Sequence, residues 1–407
     1  MLTEHILTPK SSLSHLGDTA DLTIKSAISQ LIMPSILGYL FYVFERAGLL
    51  FNIFFVSKDN NPFIIAAMGF GNTWMLMIGL SLSWCFCYGM ATLLSQAKGA
   101  GKNKLCAHVL HKGALITFFI FLLYLLSLVL FTPALKALNY DLMLISSTLS
   151  YTLWMLPSQI GSMVYTLLRN FAQGHHVFNV PVYIQVIFTV IEIIMSYFLV
   201  YVNDCGFPGL GFSRGFSELG RTVVLIHYMA KSEDFKHTFI WFDSDSLEGF
   251  WKQLKFQFYT GMVSYVEYFA FCCGEVVAAY LGVVEFDASF TYVTIMMFTI
   301  QIPISIQQPA GSFIGSAVGE GSLRKTQLWI KASNIFHFSV CVVCALAIGF
   351  LSKPLSGLFL DDPVIKEKTR QLLFMYMFVL ITDVGQMHFP IILRSLGKEA
   401  GWRLGVG

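Results

Sequence analysis

Charge is what this sequence has least of. Only 12% of its 407 residues are Asp, Glu, Lys or Arg, about half of the roughly 25% usual in a soluble globular chain. That deficit excludes a disordered chain, a nucleic-acid-binding arm and a water-exposed globule of this size, which would need polar residues to cover two or three domains. The charge that remains balances, 26 basic against 24 acidic residues, so bulk charge draws no acidic partner. Catalytic arrangements are missing as well, and neither an enzyme activity nor a cofactor is expected. Cys341-x-x-Cys344 has redox or zinc spacing, but no second pair or nearby His completes a site. The adjacent His175 and His176 stand without other ligand types around them, so no metal is expected there. Gly99-Ala-Gly101 lacks the G-K-[ST] ending and the preceding strand of a phosphate loop, and reads as a helix-ending turn. The eight cysteines sit almost entirely within apolar runs, not in the polar loops of a disulfide framework. No short apolar segment with a cleavage site occupies the first 26 residues. A cleavable signal peptide is therefore not expected, and the first membrane helix would serve as the insertion signal.

Apolar residues are what the sequence has in excess, at 56% with 38 Phe, and lipid is the solvent they fit. A spanning helix needs about 20 largely apolar residues, and ten stretches qualify. They run Ile28–Val56, Phe63–Gln96, Gly113–Phe131, Leu142–Leu168, Val177–Val202, Gly209–Met229, Trp251–Gly282, Ser289–Val318, Trp329–Leu351 and Leu372–Leu393. They are too long and too continuous to be barrel strands. With the amino terminus placed in the cytoplasm, seventeen loop and flanking Lys/Arg fall on that side and six on the other, which is the bias that orients membrane helices. The sequence thus predicts an all-α polytopic membrane protein of ten transmembrane helices, both termini inside.

The chain also repeats itself. Ala97, Gly99 and Gly101 match Ala317, Gly319 and Gly321 at an offset of 220 residues, with basic residues following in both copies. Arg169 and Arg394 end the fourth and tenth stretches at an offset of 225. A six-plus-six duplication with an incomplete second half follows. The expected parts are a polar cytoplasmic amino terminus (1–27), a first six-helix lobe (28–230), a cytoplasmic linker (231–250) and a four-helix second lobe (251–407).

These stretches resemble a known family. Thr92-Leu-Leu-Ser-Gln-Ala-Lys-Gly-Ala100 is similar to the T-L-x-G-Q-A-x-G-A signature ending the second helix of MATE (multidrug and toxic compound extrusion) transporters. Glu267-Tyr-Phe-Ala-Phe271 resembles the E-W-W-x-[FY] pattern of eukaryotic members, and Leu393-Arg394 with Gly397-Lys398 resembles the L-R-G-x-G-x-[QK] pattern after the tenth helix. The resemblance implies twelve helices in two lobes and the export of small organic cations in exchange for H+ or Na+. Two helices short of that number, the second lobe leaves open a homodimer that supplies the missing wall, or a non-transporting remnant. A lipid or lipid-linked-sugar flippase of the same superfamily is the alternative within transport.

An ionisable side chain at membrane depth is costly and marks a pathway or an internal pair. Glu267 is central in the seventh stretch among Tyr265, Tyr268, Phe269 and Phe271. Its carboxyl could exchange a proton while the rings hold an organic cation. Asp383 is central in the tenth, with Gln386 one turn on, and the resemblance places an acidic residue there. Glu275 lies eight residues past Glu267, where the family's second acid comes five residues on. Glu45 and Asn52 share a face of the first helix, and bacterial members often carry an Asp at the position aligned with Asn52. Arg214, Glu218 and Arg221 are spaced i, i+4, i+7, with Glu192 central in the preceding helix. They read either as an internal charge network or as a site for an anion or headgroup. Pro34, Pro157, Pro303 and Pro309 are expected to kink their helices.

Overall fold

The computed structural model describes residues 22–56, 62–137, 140–281, 283–357 and 362–397, and among them there is no strand. The helices are α1 (Ile24–Val56), α2 (Pro62–Trp74), α3 (Ser81–Gly99), α4 (Asn103–Ala137), α5 (Leu142–Trp154), α6 (Leu156–Gly174), α7 (Asn179–Ser196), α8 (Gly206–Lys231), α9 (Phe250–Leu281), α10 (Val283–Thr299), α11 (Gln301–Gly319), α12 (Leu323–Ser356) and α13 (Pro363–Ser395). Six helical stretches are long and apolar enough to cross a membrane: Ile24–Val56, Ile64–Gly99, Asn103–Ala137, Asn179–Val202, Leu323–Ser356 and Pro363–Ser395. Large apolar side chains point outward along them, Val129 and Phe350 among the most exposed, as a lipid solvent permits and water does not.

Most helices overshoot the apolar run that predicts them: Gly113–Phe131 lies well inside α4, and Leu372–Leu393 inside α13. A helix held by its apolar middle continues into the polar zone until a cap stops it. Asp141 accepts from Met143 N (2.7 Å) at the start of α5, and Asp362 accepts from Val364 N and Ile365 N at the start of α13. Two expected single helices are each interrupted. The fourth stretch is α5 and α6, broken at Met155 two residues before Pro157, and the eighth is α10 and α11, broken at Ile300 three residues before Pro303. A proline has no N–H for the carbonyl four residues back, so the helix loses a bond where each break falls. Pro34 and Pro309 sit inside continuous helices.

Two wide π-helical turns, Met75–Leu80 and Tyr197–Val202, adjoin α3 and α7. In the first, Gln159 of α6 donates from Nε2 to Met75 O (3.4 Å). The two matching glycine segments end their helices in the same manner. Gly101 and Gly321 take φ of 66° and 73°, and Lys102 N and Ser322 N donate back to Ala97 O and Ala317 O at 3.0 and 3.2 Å. This is a left-handed terminus that glycine adopts without strain.

The chain forms two compact units. The first comprises Leu40–Lys98 and Lys102–Tyr265, the second Met1–Tyr39, Gly99–Gly101 and Val266–Gly407. Within the first, residues 232–249 are a folded strap, not a slack linker. Asp243 and Ser246 form a reciprocal cap, Lys104 bridges Asp243 and Asp245 at 3.3 Å, and His111 binds Ser246 Oγ and Ile240 O at 2.9 Å each. Lys112 Nζ donates to Glu248 O at 2.8 Å. His175 is buried against Phe171 and Phe235 and so ties the strap to the end of α6. In the second unit, Leu373, Tyr376, Leu380 and Val384 of α13 pack on Cys341, Cys344, Ala345 and Ile348 of α12. Cys341 and Cys344 are free thiols in that core.

Candidate functional site: a buried polar network in the first unit

Four helices of the first unit bring polar side chains together. The α6 and α8 backbones approach so closely that a Cβ on Gly161 would stand 2.9 Å from the carbonyl carbon of Glu218. Thr222 Oγ1 lies 3.0 Å from Gly161 O across the same contact. Small residues permit such approaches, and in lipid they supply the packing that water would otherwise drive. The approach sets the polar face of α8 against α6 and α7. There Glu218 pairs with Arg221, and Arg221 Nη1 also donates to Gln185 Oε1 of α7. The Arg221 guanidinium lies 5.2 Å from the centre of the Tyr165 ring, and Tyr165 OH donates to Pro181 O at 2.6 Å. Arg221 and Glu218 are only 3% and 4% exposed, so water screens neither.

One turn toward the amino end of α8, Arg214 lies within electrostatic reach of Glu192, Glu218, Tyr151 and Glu45, and its Nη1 is buried without a hydrogen-bond acceptor. Glu192 is held differently. Asn52 of α1 donates from Nδ2 to Glu192 Oε1 at 2.8 Å, and both residues are buried. A bare helix face at Gly48 makes room, the Glu192 carboxylate standing 3.3 Å from where a Cβ would be. Position 52 thus carries an amide, and the carboxylate it holds comes from a neighbouring helix. Glu45 lies one turn below Gly48 and is half-buried. Beside the network, Tyr151 OH donates to Asn72 Oδ1 at 2.8 Å, and the Arg169 guanidinium stands 4.0 Å from the Phe41 ring centre.

The structure therefore joins Asn52, Glu192, Arg214, Glu218 and Arg221, which were read from two separate patterns. It adds Gln185, Tyr165 and Gly48, which carry no charge and left no signal beyond helical spacing. In the second unit, Asp383 is half-buried within electrostatic reach of Tyr292 and Tyr376, while Gln386, one turn on, is exposed. Glu267, Tyr268 and Glu275 belong to α9, and their side chains lie outside the described residues. Among the described residues, no group of three or more His, Cys, Asp or Glu could hold a metal ion.

A family model described as MatE matches residues 34–198 and 260–400. Multidrug and toxin extrusion protein 2 of Oryctolagus cuniculus is 20% identical over 83% of this chain and 56% of its own length. Protein DETOXIFICATION 39 of Arabidopsis thaliana is 21% identical over 98% and 78%. The chain spans little more than half the length of the first of these. The crystal structure of a eukaryotic MATE transporter, AtDTX14, superposes with a TM-score of 0.83 at 16% identity, covering 92% of this chain and 83% of that one. A variant of the Vibrio cholerae MATE transporter VcmN gives 0.82 at 15% identity, covering 92% and 85%. At these identities the superpositions establish the shared fold.

Proposed function

This chain belongs to the MatE family of multi-pass membrane transporters, and on that premise we propose that it exports small organic cations in exchange for protons. The observation that carries the reading is the Asn52–Glu192 contact. A carboxylate buried at membrane depth, hydrogen-bonded by a neutral amide and within electrostatic reach of Arg214, offers a place to bind a proton or a cation. The pairing of Arg221 with Glu218 and Gln185 supports a cationic over an anionic substrate, because that guanidinium is already committed to partners inside the protein. The lipid-flippase alternative needs arginines directed at a headgroup, whereas the Nη groups of Arg221 are held by Glu218 and Gln185.

In the cycle we propose, Glu267 takes a proton from the outer side and releases substrate, then loses it toward the cytoplasm and admits the next. Asp383 and Glu192 are the further carboxylates through which proton and substrate exclude one another, with Tyr268 beside Glu267 offering a ring face to the cation. Sodium in place of the proton is the variant of this cycle. Everted membrane vesicles energised by a proton gradient test it. Wild-type vesicles should accumulate a fluorescent organic cation, and Glu267→Gln should abolish accumulation while the protein remains folded in the membrane. Accumulation by that variant at the wild-type rate would sink the mechanism, and accumulation driven only by a sodium gradient would replace the coupling ion.

A further inference from the structure

One side of the folded strap turns large aromatic side chains outward. Trp241 is 94% exposed and Phe242 56%, and Trp251, at the start of α9, is 77% exposed. Exposed aromatic groups of this size mark a surface that meets something other than water. Three hydrogen bonds to α4 set the level at which they stand. His111 Nε2 donates to Ile240 O at 2.9 Å, Lys112 Nζ to Glu248 O at 2.8 Å, and Gln253 Nε2 to Val109 O at 3.0 Å. The apolar run of α4 begins at Gly113. At 1.5 Å per residue, Val109 to Lys112 lie within about 6 Å of that start. The headgroup layer on either side of the hydrocarbon is about 5–7 Å thick. The strap is therefore tied to α4 at headgroup depth. Trp241 follows the tied residue Ile240 directly, and Trp251 is two residues from Gln253.

Continuity and charge name the occupant. Phe258 is seven residues beyond Trp251, on the same face of α9, and is exposed. On α4, Phe118 and Phe119 turn outward as well. The aromatic side of the strap thus runs on into the surface that these helices offer to lipid. Asp243 and Asp245 share Lys104 at 3.3 Å, and His108 Nε2 stands 3.1 Å from Asp243 Oδ1, so α4 answers both acids. Lys252 and Lys255, next to Trp251 and one turn beyond it, are exposed. Their long stems can lie along the apolar surface while the ammonium groups reach phosphate.

We propose that residues 240–252 are a membrane-surface anchor, with Trp241 and Trp251 seated in the phospholipid headgroup layer of the bilayer that α4 spans. An indole suits that layer, because its ring lies against the upper acyl chains while its N–H donates to a lipid oxygen. Held there, the strap stays at the membrane surface between α8 and α9. The inference rests on the chain spanning a membrane, and not on what the chain carries.

Tryptophan quenching in phosphatidylcholine vesicles tests it. The chain has seven tryptophans, so the emission of Trp241 is taken as the difference between wild type and Trp241→Phe. A lipid with a nitroxide on its headgroup should quench that emission more strongly than a lipid labelled at mid-chain. Acrylamide on both sides of the membrane should quench it less in vesicles than it quenches free tryptophan. Trp251, read in the same way from Trp251→Phe, is the reference, since it stands at the end of a long apolar run. Emission from Trp241 that acrylamide quenches fully and the nitroxide lipids do not would place the strap in water and overturn the anchor. Emission that neither quenches would mean that a second copy or another protein covers the residue, and would overturn it equally.

Discussion

The Arg221 side chain meets a carboxylate, an amide oxygen and an aromatic face at once, and nothing in lipid could take its place. Replacing it by Met removes the charge but leaves the Glu218 carboxylate buried, an arrangement that costs on the order of 3 kcal/mol or more. Arg221→Met should therefore lower the melting temperature of the solubilised protein by several degrees. Arg221→Met/Glu218→Leu should recover most of the loss, because removing both charges of a buried pair is often neutral. A double variant no more stable than the single one would mean that Glu218 is compensated elsewhere, with Arg214 the nearest source. The spacing of Arg214, Glu218 and Arg221 made half of this network legible, since one helix face can be read from sequence. The other half was not. Gln185 and Tyr165 are uncharged and lie on other helices, and Asn52 and Glu192 are 140 positions apart. Which helix faces meet is decided by backbone approaches such as Gly161 to Glu218, and a lone glycine in an apolar run announces no partner.

At the scale of elements, the apolar runs gave the helices and their order, while the ends and breaks depended on caps and prolines that hydrophobicity does not record. The strap is the plainest case. Its residues look like a polar linker, yet Asp243, Ser246, His111 and His175 fix it in place. Burial against Phe171 and Phe235 pushes His175 down to about 4 from the usual 6.5, and the hydrogen bond from Ser246 holds the Asp243 carboxyl well below the usual carboxylate range. Both signs lead the same way. A histidine kept neutral by folding costs stability once the unfolded chain can bind its proton, so stability falls as the pH drops from about 6.5 to about 4. The contribution of Asp243 is present above the carboxylate range and is lost below it. Thermal unfolding followed from pH 7 to pH 4 should show a steady decline. His175→Phe, which keeps the ring and removes the proton, should flatten that decline by up to about 3 kcal/mol. An unchanged slope would mean that His175 is not what the acid reaches.

For the whole molecule, the scarcity of charge, the length of the apolar runs and the ordered motifs were enough to identify a membrane transporter of the MatE family. The direction in which the chain threads the bilayer rests on its basic residues alone, and one cysteine offers a test. Cys205 is a free, exposed thiol at the start of α8, whereas the other described cysteines are buried. With the amino terminus inside, the turn that holds it faces outward. In sealed vesicles whose non-cytoplasmic face is outward, a membrane-impermeant maleimide should label Cys205, and Cys205→Ser should remove that labelling. Labelling that appears only after permeabilisation would reverse the topology.

The wide turn at Met75–Leu80 has a consequence for the rest of that stretch. It holds one residue more than an α-helix would need, and so sets the angular phase of all that follows. Downstream, Gly89 faces the backbone of Gln257 with no room for a side chain. Deleting a single residue between 75 and 80 would turn the helix that follows by about 100° and present a bulkier neighbour to that contact. A frameshift of one position inside an uncharged, unremarkable run would then be more damaging than many substitutions at the polar network itself.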